Sequence, residues 1–96
     1  DLCWFDEDLW VLCRESRRVL RVNPTTHAVR SEFDYADIEL SREHAYYNPY
    51  PGYGFYEGLS VDAENIWLAV DNNNYPRIAD KNDRRPSLFR CRRPDK

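Results

Sequence analysis

Three groups of side chains in this sequence have the types and spacing to do chemistry. Glu57 and Asp71 are carboxylates, and Asn72 and Asn73 directly follow the second. Carboxylates joined by amide carbonyls are the hard oxygen donors that Ca²⁺ takes. The run Asp71-Asn72-Asn73 also reads as turn chemistry, because these side chains bond their own backbone and tolerate left-handed conformations. Arg77, Arg84 and Arg85, with Lys81 among them, could hold a phosphate or carboxylate. Asp80 and Asp83 in the same stretch would instead neutralise them in a solvated loop. The third group is aromatic. Residues 46–56 contain six of the chain's 14 aromatics, with two Pro and two Gly. Tyr50 and Tyr53 could line a wall that stacks on a sugar or another flat ligand; alternatively the stretch covers a sheet edge. His27 and His44 have no Ser, Cys or His at a meaningful spacing, and the sequence holds no G-x-S-x-G, P-loop or H-E-x-x-H pattern.

The elements that must position these groups repeat. Residues 2–13 align without a gap to residues 59–70, at an offset of 57. Each copy reads apolar strand, acidic turn, then an apolar strand with Trp second (Trp10, Trp67). Residues 19–22 match residues 88–91 at an offset of 69, so the second copy holds 12 extra residues between its second and third strands. A repeated short antiparallel sheet predicts the blades of a β-propeller. Blade one is expected over about residues 1–35, with strands at 2–5, 9–13 and 19–22. Val29, Ser31, Phe33 and Tyr35 alternate with Arg30, Glu32 and Asp34 as a half-exposed outer strand. Residues 36–56 form a linker with a short helical turn at residues 38–44. Blade two is expected over about residues 57–96, with strands at 59–62, 66–70 and 88–92. Strands 9–13 and 66–70 are apolar on both faces, as sheets sandwiched between neighbouring blades require. Trp10 and Trp67 both read as core.

Antiparallel strands place the entry to a first strand beside the exit from the second. Glu57 is therefore expected near Asp71, Asn72 and Asn73, and the aromatic linker is expected to share a face with the expanded loop 71–86. Position 71 aligns with Arg14, so Asp71 is not a property of the repeat itself.

Composition bounds the rest. Two blades in 96 residues cannot close a ring of four to eight, and the sequence begins at Asp1 without Met. The expectation is a piece of a longer propeller, whose remaining blades are its partners. Net charge is −3. Residues 1–76 carry 6 basic and 14 acidic side chains, whereas residues 77–96 carry 8 basic and 3 acidic. The acidic majority argues against nucleic acid as a partner. The longest apolar runs are about five residues, too short for a membrane-spanning helix. Cys3, Cys13 and Cys91 are an odd set without a CxxC, which argues against a disulfide framework and a zinc site. They read as small buried apolar residues.

The spaced string Tyr56-Glu57-Gly58-Leu59-Ser60-Val61-Asp62, then Ile66-Trp67-Leu68-Ala69-Val70-Asp71-Asn72-Asn73, then Ser87-Leu88-Phe89-Arg90, resembles a blade of the esterase-like phytase propellers. More loosely it is similar to the six-bladed Ca²⁺-dependent lactonase group. The likeness covers residues 56–92; residues 1–35 match only as a generic blade. It implies an all-β, six-bladed propeller, a periplasmic or secreted location, and a metal-assisted hydrolase of phosphate or carboxylic esters with Glu57 and Asp71 as Ca²⁺ ligands. The other reading is a non-catalytic propeller module that holds a glycan or protein through residues 46–56.

Overall fold

A computed structural model describes residues 1–49 and 54–95. Among these residues the chain is all-β, with seven strands in two antiparallel sheets and one short helix. The first sheet is the meander β1 (Leu2–Phe5), β2 (Asp8–Cys13), β3 (Arg18–Val22) and β4 (Val29–Asp34), in that spatial order. Helix α1 (Ala36–Glu39) follows, then β5 (Tyr56–Val61), β6 (Asn65–Val70) and β7 (Ser87–Arg92) as the second sheet. The expected strands stand within one to three residues of these bounds. The helical turn does not: α1 starts two residues before the expected segment, because the Asp34 carboxylate accepts the Ala36 N–H at 2.8 Å and stops β4 there.

Local chemistry sets the turns. Asp6 and Glu7 both have positive φ, 54° and 63°, the conformation a two-residue hairpin needs to match strand twist. In the second sheet Asp62 does this work with its side chain, accepting the N–H groups of Glu64 and Asn65 at 2.9 and 2.8 Å. Asn73 and Asn74 also lie at positive φ, where Asn is tolerated.

The sheets pack face to face through one core. Register places Cys3, Phe5, Trp10, Leu12, Val19 and Phe33 on one face of the first sheet. Leu59, Val61, Ile66, Leu68, Val70 and Phe89 share one face of the second. These two faces meet in a single apolar cluster, with Ile66 and Leu68 fully buried. Burying each such side chain contributes roughly 1.5–3 kcal/mol.

The repeat is structural as well as sequential. Trp10 Nε1 donates to the Phe5 carbonyl at 3.2 Å, and Trp67 Nε1 donates to Asp62 Oδ2 at 2.8 Å. Phe5 and Asp62 occupy equivalent positions. Arg21 lies over Trp10 as Arg90 lies over Trp67, at 5.3 and 5.9 Å from the ring centres. The equivalence corrects one expectation. Trp10 is buried, but Trp67 is only half-buried, because its face of the second sheet points away from the first. The cysteines are likewise half-buried rather than buried, and all three are free thiols.

Candidate functional site

Loops at one end of the sheet pair carry most of the residues singled out from sequence. The linker and the expanded loop meet there. Tyr46 and Arg77 form an antiparallel bridge, flanked by Tyr47 N–H to the Pro76 carbonyl at 2.8 Å and Ile78 N–H to the Ala45 carbonyl at 2.9 Å. Asp71 N–H donates to the Phe55 carbonyl at 3.1 Å, which brings Asp71 beside the start of β5.

Glu57 is the extra residue of a bulge in β5: Tyr56 pairs with Val70 and Gly58 with Ala69. A bulge re-aims its side chain. Here the carboxylate reaches across the seam to Arg14, with Nη1 to Oε1 at 3.1 Å. Gly58 has its own cause. A Cβ there would lie 2.8 Å from the Ala69 Cβ, closer than two carbons can approach.

The other rim residues act on the loop itself. Asp71 Oδ1 accepts the Asn73 N–H at 3.0 Å, closing a local turn. Asn72 is buried, and its Nδ2 donates to the carbonyls of Tyr75 and Arg84 at 2.7 and 2.9 Å. Ca²⁺ takes six to eight oxygens. The donor set present here is incomplete for it, since Glu57 already faces a guanidinium and Asp71 serves its turn. Among the described residues no group of three or more His, Cys, Asp or Glu side chains could hold a metal ion.

The arginines of the expanded loop are engaged within the protein. Arg77 donates to Asp83 Oδ2 and to the His44 carbonyl, both at 3.0 Å, and to Ser87 Oγ, while its guanidinium lies 4.6 Å from the Tyr46 ring centre. Arg85 also pairs with Asp83, at 3.0 Å. The hydrogen bonds and charge of Arg85, with Arg77 adding to them, hold the Asp83 carboxyl well below the usual carboxylate range. Arg84 donates separately to the Asn74 carbonyl at 2.6 Å. Tyr50 and Tyr53 lie outside the described residues. Their described neighbours are packed inward: Tyr46 meets Phe55 edge-on, Phe55 stacks on Tyr75, and Tyr56 stacks between Tyr35 and Phe89.

The same segment borders a cavity of about 190 Å³. Leu40, Ala45, Phe55 and Ile78 give it apolar walls. Its polar side comes from Arg17, Glu39, Tyr46, Asn48 and Tyr56. Arg17 Nε is hydrogen-bonded to Glu39 Oε2, so the two charges cancel. Three buried polar atoms here have no hydrogen-bond partner among the described residues: Glu39 Oε1, Tyr56 OH and the adjacent Tyr35 OH. Burial, with the nearby Glu39 charge, pushes both phenol pKa values up, so both hydroxyls stay protonated. Both faces of the Tyr56 ring are covered, by Tyr35 and Phe89. Gly54 packs against Glu39, and a Cβ there would fall 2.5 Å from Oε1.

Sequence reasoning missed this cavity, because Arg17, Glu39, Gly54 and Ile78 belong to four separate segments with no common motif. It also missed Arg93, which closes the opposite end of the seam. The Arg93 side chain is 1% exposed. Its guanidinium lies 4.9 Å from the Trp10 ring centre, pairs with Asp95 at 2.8 Å, and donates to the Asp62 and Ala63 carbonyls. Asp95 also takes Arg21, which in turn pairs with the buried Asp8. Part of the basic excess of residues 77–96 is therefore internal.

The class defined by these observations is an all-β chain of two repeated antiparallel sheets with a polar-and-apolar cavity at one end of their seam. Set against known proteins, the chain matches no family model, no curated protein sequence and no solved structure.

Proposed function

We propose that this chain forms part of a β-propeller that binds a neutral, sugar-sized polyol in the cavity bordered by Tyr46, Phe55 and Tyr56. The carrying observation is the set of buried polar atoms without partners among the described residues at that cavity, Glu39 Oε1 and the Tyr56 hydroxyl, with the Tyr35 hydroxyl on the ring stacked against Tyr56. Leaving such groups unpaired costs about 1–3 kcal/mol each, which a ligand can recover. The Arg17–Glu39 pair cancels its own charge and so favours an uncharged ligand. Hydroxyl groups suit the site because Glu39 Oε1 only accepts, whereas a tyrosine hydroxyl does both. The volume lies below the ~300–1,000 Å³ of drug-sized pockets and suits a single ring.

The test is calorimetric titration with a panel of neutral monosaccharides against wild type, Glu39→Gln and Gly54→Ala. A hydrogen bond to a charged acceptor is worth about 1.5–3 kcal/mol, so Glu39→Gln should lose roughly tenfold or more in affinity, and Gly54→Ala should weaken binding because its Cβ displaces Glu39 Oε1. Heat from no sugar, or equal affinity in all three proteins, rejects the reading.

A second reading, a Ca²⁺-dependent ester hydrolase, is favoured by one observation besides the resemblance. Glu57 and Asp71 share a rim, joined through the Asp71 N–H to Phe55 carbonyl bond. In this reading further blades complete the oxygen donors, and the bound ion polarises a phosphate or carboxylic ester.

A further inference from the structure

Each sheet has a second face, and the repeat says what those faces are. The outward face of the first sheet carries Leu2, Trp4, Leu9, Val11, Leu20 and Val22. It is apolar yet uncovered, with Leu2 61% and Trp4 64% exposed. The 57- and 69-residue offsets map these six onto Leu59, Val61, Ile66, Leu68, Phe89 and Cys91. Those are the residues with which the second sheet meets the first. The converse also holds. The outward face of the second sheet carries Ser60, Trp67, Ala69, Leu88 and Arg90, with Leu88 66% exposed. These map onto Cys3, Trp10, Leu12, Val19 and Arg21, the inward face of the first sheet. The chain thus holds one copy of an interface inside and displays its two halves outside.

We propose that the outward face of the first sheet docks on the outward face of the second sheet of another copy of this chain, head to tail. Charge agrees with shape. The first face carries Glu32 and Asp34 against a single Arg18, and the second carries Arg90 and Arg92. Opposed potentials of this kind set partner orientation. The contact uses different patches on the two partners, so it is heterologous and builds a ring if the rotation closes or a longer array if it does not. It stands on the repeat and does not depend on what the cavity binds.

Sedimentation of the full chain over a concentration series tests this, with Trp4→Glu on one face and Leu88→Glu on the other. Both positions are exposed, and near-ultraviolet circular dichroism checks that each variant keeps its tertiary packing. Wild type should exceed the mass of one chain as concentration rises. Each variant alone should fall back to one chain. An equimolar mixture should give two-chain particles, because each variant retains the half that the other lacks. Wild type that stays at one chain throughout overturns the proposal. So do variants that associate as wild type does, the result that pairing through strand edges gives.

Discussion

Arg14 and Glu57 meet across the seam at 3.1 Å, and Arg14 stands at the repeat position that Asp71 fills in the second sheet. The first sheet thus offers a cation to the bulged residue of the next strand, whereas the second offers a carboxylate. Side chains 39% and 42% exposed make a weak pair. The significance is local: Arg14 competes with a metal ion for the Glu57 carboxylate.

A thermal melt in excess chelator and in excess Ca²⁺ separates the two functional readings. Ca²⁺ held only by the native state at ~100 times its Kd adds roughly 2.7 kcal/mol, on the order of 10–20 °C for a domain of this size. The polyol-binding reading expects one Tm under both conditions. A Ca²⁺-dependent rise, strengthened by Arg14→Gln, would instead favour the hydrolase.

The unpaired hydroxyls carry a stability signature. Tyr56→Phe keeps the ring between Tyr35 and Phe89 while removing an unsatisfied buried oxygen. Denaturant unfolding should show a gain of about 1 kcal/mol without ligand, and the same change should weaken polyol binding. A loss of stability would mean that the hydroxyl has a partner in solution.

Acid should open the far end of the seam. The Arg93 hydrogen bonds, aided by Arg21, hold the Asp95 carboxyl well below its ordinary value. Burial pushes Asp8 up, but hydrogen bonds from Arg21 and Arg30 and their charges outweigh it, leaving Asp8 lowered as well. A depressed native pKa stabilises above the unfolded value of ~3.9 and is lost as pH falls through the native one. Stability should therefore decline below about pH 4, and Asp95→Asn should flatten that slope in acid titrations followed by circular dichroism. Arg93→Ala should cost about 1–3 kcal/mol at neutral pH, since the Asp62 and Ala63 carbonyls lose their donor while Asp95 keeps Arg21. A loss well under 1 kcal/mol would remove Arg93 from the account.

Strand order was legible in the sequence because β1–β3 each have a counterpart among β5–β7 at a fixed offset, and β4 shows a two-residue alternation of its own. The meeting of linker and expanded loop was legible from strand direction alone, and Tyr46 with Arg77 bears this out. Trp67 was misjudged because it stands on the sheet face equivalent to that of Trp10, yet among the described residues only the Trp10 face is covered by the other sheet. Arg93 looked like part of a basic tail; only folding brings Trp10, Asp62 and Asp95 around it. The cavity was invisible for a related reason. Glu39 and Gly54 become neighbours only on folding, and no spacing along the chain encodes that contact.

An amide ¹H–¹⁵N spectrum of the chain titrated with neutral monosaccharides reads the cavity residue by residue. Binding in the cavity predicts saturable shifts of Glu39, Leu40, Ala45, Gly54, Tyr56 and Ile78, and their loss in Gly54→Ala. Shifts confined to Glu57 and residues 71–73, or none for any sugar, would contradict it.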